Sequence, residues 1–87
     1  MSRVYGEPVE VQARDDGRPV RFVWRGRIYT VIFVRDRWQV PADPAAGAKA
    51  GAECWRVEAT PVRAVPPAVY DLCHDLAADR WSLTGGL

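Results

Sequence analysis

The chain has 87 residues, 48% of them apolar and 26% charged, with a formal net charge of +1. That length holds one domain and excludes two, and a domain of this size buries only about 60% of the surface its unfolded chain exposes. No apolar run approaches the roughly 18 residues of a helical membrane span, and the near-neutral balance lacks the strong basic excess that by itself marks a nucleic-acid-binding protein. The opening Met-Ser-Arg-Val-Tyr-Gly-Glu-Pro has no apolar stretch followed by a small-residue cleavage site, so a cytoplasmic protein with no membrane contact is expected.

In chain order, Val9, Val11 and Ala13 alternate with Glu10, Gln12 and Arg14, the period of a half-buried strand. Asp15-Asp16-Gly17 supplies turn chemistry, and Val20, Phe22 and Trp24 then alternate with Arg21 and Val23. Arg25-Gly26 follows, where glycine can take the positive φ of a two-residue hairpin turn. A long strand is predicted from Arg27 to Val34 or as far as Trp38. A two-residue turn sets Trp24 opposite Arg27, Phe22 opposite Tyr29 and Val20 opposite Val31 on one face, which Phe33 extends. The other face carries Arg21, Val23, Ile28, Thr30 and Ile32 and is also apolar in its middle. A strand apolar on both sides points to a closed barrel, a loop packed outside, or a homodimer that hides one face.

Residues 41–52 contain six alanines, two prolines and two glycines. They read as a flexible spacer loop, because those breakers leave no more than about a turn of helix. Trp55, Val57 and Ala59 alternate with Arg56 and Glu58 as a fourth strand, closed off by Pro61 and the Pro66-Pro67 pair. Tyr70 and Leu72, a turn from Asp75 to Asp79, then Trp81 and Leu83 make a last hairpin. Gly85-Gly86 reads as a frayed tail. The expected architecture is a single all-β domain over residues 1–87, with about six short antiparallel strands in a meander forming a small barrel or strongly curved sheet.

Cys54 and Cys73 can form at most one disulfide and have no C-x-x-C spacing, so reduced structural thiols and no metal site are expected. His74 adjoins Cys73, but neighbouring side chains on a strand point to opposite faces, which disfavours both a zinc site and a Cys-His nucleophile. The acids Asp15, Asp16, Asp75 and Asp79 all fall in predicted turns, where aspartate has a backbone role. No catalytic residue and no cofactor is expected, and the chain reads as a non-enzyme.

The charge is uneven. Residues 1–40 hold eight arginines and five acids, net +3, and residues 41–87 hold four bases and six acids, net −2, which sum to the +1 of the whole chain. Arg18, Arg21, Arg25, Arg27, Arg35 and Arg37 stand against the single acid Asp36, interleaved with Phe22, Trp24, Tyr29, Phe33 and Trp38. Cations among rings are the mixture of a single-strand nucleic-acid platform, although a small chain also needs its aromatics for a core. The candidate contact residues are Arg21, Arg25, Arg27, Arg35, Arg37 and Trp38, the last being the aromatic least needed by the core.

The segments Tyr5–Val11, Phe22–Val31 (F-V-W-R-G-R-I-Y-T-V), Cys54–Ala59 (C-W-R-V-E-A), Val69–Leu72 and Arg80–Leu83 resemble a small bacterial domain family of unknown function. The resemblance covers the chain apart from the alanine-rich loop. Similar domains occur alone or at the C-terminus of proteins related to Y-family translesion polymerases. This implies an accessory setting in DNA damage tolerance and no catalytic residue. The expected function is a binding module that contacts nucleic acid or a DNA-processing protein through the basic hairpin; the alternative is a protein-interaction or homodimerisation domain that uses the two-faced strand.

Overall fold

A computed structural model describes residues 6–42, 51–61 and 65–86. Six strands follow in order: β1 (Glu7–Ala13), β2 (Pro19–Trp24), β3 (Arg27–Val40), β4 (Ala52–Thr60), β5 (Ala68–Asp75) and β6 (Arg80–Gly86). Each pairs antiparallel with the next and β6 pairs with β1, which closes the sheet into a barrel. The fold is therefore all-β, as the alternation predicts, and closure leaves neither the first nor the last strand as an edge.

The turns follow from local chemistry. Arg25 and Gly26 have φ of 50° and 77°, the pair of positive values that a two-residue hairpin turn requires. This sets Phe22 opposite Tyr29 and Trp24 opposite Arg27, the register read from the sequence. At the β1–β2 turn Gly17 takes φ 92° and Asp16 Oδ1 accepts the Arg18 N–H at 3.0 Å. At the β5–β6 turn Asp75 Oδ1 accepts the N–H groups of Ala77 and Ala78, each at 3.1 Å.

The inward residues build one core. Phe22, Tyr29, Trp55, Val57, Ala59, Leu72 and Leu83 are buried, with Val9, Val11, Trp24, Val31, Val34, Tyr70 and Trp81 packed against them. Phe22 stacks on Tyr29 at 5.0 Å, and Tyr70 meets both rings edge-on. Burial, and then the neighbouring Tyr29 hydroxyl, pushes the Tyr70 phenol above its ordinary pKa. Bulges in the β1–β2, β3–β4 and β5–β6 ladders bend and twist the strands enough for six of them to close.

Three expectations need correction. Phe33 does not extend the inner face. Val31 pairs with Ala59 and Phe33 with Glu58, so Ile32 is an extra residue, and this bulge turns Phe33 outward (59% exposed) while Val34 takes the inward position. Gly85 and Gly86 are not a frayed tail, because they pair with Asp71 and Tyr70 in β6. Cys54 and Cys73 are not reduced thiols. They are register partners on β4 and β5 with Cα atoms 4.1 Å apart, joined as a disulfide. The loop predicted over 41–52 lies for the most part outside the described residues.

Candidate binding surface

The six candidate contact residues do not form one patch. Arg25 lies in the β2–β3 turn and Arg27 directly after it, whereas Arg35, Arg37 and Trp38 lie at the far end of β3, roughly 30 Å away along the strand. Arg21 sits between them on β2, opposite Thr30, with its Nη1 at 3.5 Å from Gln12 Oε1.

Most of these arginines already have anionic partners. Arg25 Nη2 lies 3.2 Å from Glu7 Oε2, Arg35 Nη1 3.4 Å from Glu58 Oε2, and Arg37 Nη2 2.7 Å from Glu53 Oε2. Pairing of β1 with β2 brings Glu7 beside the hairpin turn, and pairing of β3 with β4 brings Glu53 and Glu58 beside a strand whose own sequence has one acid. Arginine also covers tryptophan. The guanidinium of Arg25 lies 4.6 Å from the Trp24 ring centre, that of Arg37 4.7 Å from Trp55, and that of Arg56 5.5 Å from Trp38. The His74 ring stacks on Trp81 at 4.4 Å. Each of the four tryptophans therefore carries a planar cation or an imidazole, so the interleaving that reads as a base-stacking platform is largely spent within the chain.

Trp38 is the one tryptophan outside the core cluster. It is half-buried on the outer face, opposite Cys54 of the disulfide. The Arg56 beside its ring is held by a two-pronged contact, Nε to Asp71 Oδ1 at 2.9 Å and Nη2 to Oδ2 at 3.1 Å. Those bonds raise the Arg56 pKa further above its ordinary value. Among the described residues no group of three His, Cys, Asp or Glu side chains stands close enough to hold a metal ion.

A family model matches this sequence over residues 1–86. The chain belongs to the DUF6504 family, a domain of unknown function. No curated protein and no solved structure matches it.

What the domain leaves open to solvent is apolar as well as basic. Ile28, Ile32 and Phe33 are 56%, 58% and 59% exposed along the outside of β3, and Val23 lies beside Ile28 across the ladder. Since the interior is already filled by other residues, these side chains are surplus to the core. Arg14, Arg18, Arg21 and Arg27 are exposed around them and make no ion pair with a described residue. Sequence reasoning left Arg14 and Arg18 out of the candidate contact residues and set Phe33 on the inner face. The four consecutive apolar residues Val31 to Val34 were the available signal, since unbroken apolarity marks a stretch where alternation cannot assign faces.

Proposed function

We propose that this DUF6504 domain is a non-enzymatic binding module that docks a partner protein on the outer face of the β2–β3 hairpin. The observation that carries this reading is the exposure of Ile28, Ile32 and Phe33 on a barrel whose core is complete without them. Apolar anchors ringed by arginine are the composition of a protein-binding face. The accessory setting implied by the resemblance, beside translesion polymerases, supplies the class of partner, a DNA-processing protein. A second copy of the chain is the other occupant this face suits.

A nucleic-acid reading rests on a separate observation, the four arginines without an ion partner among the described residues. It would use Arg21 and Arg27 together with the exposed Phe33, rather than Trp38, whose ring already carries Arg56. Exposed ion pairs are worth only about 0–1 kcal/mol, so Arg25, Arg35 and Arg37 could exchange their glutamates for phosphates at small cost.

Titration with a fluorescent single-stranded oligonucleotide at low salt separates the two. The protein-docking reading predicts at most non-specific binding, with a Kd no tighter than about 10⁻⁴–10⁻⁶ M at physiological salt. Binding tighter than about 10⁻⁶ M once the salt is raised to the physiological level, with log K falling against log salt at about −0.7 per phosphate contact and weakened by Phe33→Ala, would replace it with the nucleic-acid reading.

A further inference from the structure

We propose that this domain takes up an extended, acidic peptide segment of its partner by strand addition, along the edge of β3 that faces β2, in the cleft where the two strands part. The inference rests on the binding-module reading above and names a mode and a chemistry for it. It uses the strand edge rather than the outer face.

The pairing exposes that edge. β3 pairs with β2 only over Arg27–Thr30, yet continues against β4 as far as Val40. Beyond Thr30 no described strand covers its β2 side. β2 turns away instead toward β1, where Pro19 pairs with Ala13. Between the diverging strands lies a cleft of about 240 Å³, lined by Arg14, Arg18, Pro19, Val20, Ile32 and Phe33 among others.

The backbone of this stretch has an unmet ladder position. The Arg37 N–H donates to the Asp36 carboxylate, its own neighbour, at 2.8 Å. A main-chain donor in mid-strand is thus answered by a local side chain where a further strand would supply a carbonyl. An incoming peptide carbonyl can displace Asp36 and restore the ladder, as peptides do when they extend a sheet. The bulges after Val31 and Val34 break the regularity that long, unselective edge pairing needs, so the site suits a short segment.

Charge selects the occupant. Arg14 and Arg18 line the cleft without an ion partner among the described residues, and Arg35 and Arg37 stand on the strand itself, each in an exchangeable surface pair with a glutamate of β4. Edge-to-edge pairing of two copies would bring both sets of arginines together, and like charges across an interface are repelled. A peptide mixing carboxylates with small apolar residues sets its carboxylates against these arginines and its apolar side chains against Val20 and Phe33.

The test is amide-resolved NMR of the ¹⁵N-labelled chain, titrated at low salt with a synthetic peptide of about eight alternating Glu and Val residues, roughly 26 Å when extended. Saturable shifts are expected along Phe33–Val40, with slowed hydrogen exchange at Arg37. N-methylation of alternate peptide nitrogens, or Lys in place of Glu, should weaken binding at least about tenfold, as loss of one or two hydrogen bonds or of the charge match requires. Arg14→Glu with Arg18→Glu should do the same. Asp36→Ala, which removes the competitor for the Arg37 N–H and a repelling charge, should tighten binding, a gain that misfolding cannot produce. Shifts centred on Val23 and Ile28 instead would overturn strand addition while leaving the binding-module reading intact. Undiminished binding of the N-methylated peptide, or no saturable shift with any of these peptides, would overturn it as well, while the outer face remains separately testable through Ile28.

Discussion

Phe22→Ala is expected to lower the unfolding free energy by about 3–5 kcal/mol, the cost of a large-to-small change at a site that cannot collapse. Phe22 is 1% exposed and is the largest of the fully buried side chains. Its ring stacks on Tyr29 and meets Tyr70 edge-on, so its loss removes both the buried area and two aromatic contacts, each worth about 0.5–1.5 kcal/mol beyond area. The neighbours that would have to fill the space belong to β2, β3 and β5, which the barrel ladders hold apart. Small domains have only about 5–15 kcal/mol in total, so a chemical denaturation midpoint near zero, or a chain without near-ultraviolet ellipticity, is the expected reading. A loss below about 1 kcal/mol would mean that Phe22 is not at the centre of the core.

Removal of the Cys54–Cys73 disulfide carries the next largest effect. The two cysteines are 19 residues apart, and opening a loop of that size releases unfolded-chain entropy worth about 3 kcal/mol. Denaturation with and without reductant should show that difference, and a double Cys54→Ala, Cys73→Ala variant should reproduce the reduced protein. The site lies between β4 and β5 beneath Trp38, away from the outer apolar face, so the reduced protein should keep its binding at temperatures where it stays folded. Thiol titration of the denatured, unreduced protein should find no free thiol. Two free thiols there, with equal stability in both conditions, would restore the expectation from composition.

The hairpin at Trp24–Arg27 was legible in the sequence because its signal is local. Gly26 permits the turn, and alternation on either side fixes which rings meet. The same reasoning finds the inward faces of β4 and β5 and the six antiparallel strands, which close into the barrel rather than a curved sheet. It fails where register depends on non-local contacts. The bulge at Ile32 has no residue signature in a run of four apolar side chains, so the facing of Phe33 could not be read. The pairing of Cys54 with Cys73 is set by the β4–β5 register, which the segment between those strands conceals. The basic hairpin was legible as sequence but not as surface. Glu7, Glu53 and Glu58 are distant in the chain from Arg25, Arg37 and Arg35 and meet them only once β1 pairs with β2 and β3 with β4. Arg14 and Arg18 gain a setting for the same reason, through the divergence of β2 from β3.

The outward turn of Phe33 links fold and function here. An inward Phe33 would have left Ile28 and Ile32 as isolated exposed residues of the kind any surface carries. With Phe33 beside them, one strand presents three apolar side chains, each more than half exposed, that the core does not use. The most direct measurement of that claim is affinity capture from nuclease-treated lysate with the wild-type domain and an Ile28→Ser, Phe33→Ser variant side by side. Both positions are more than half exposed, so the variant's stability should stay within about 0.5 kcal/mol for each substitution. The account predicts a protein retained by the wild type after nuclease and lost from the equally folded variant. Retention of the same protein by both, or disappearance of every bound species on nuclease treatment, would contradict it.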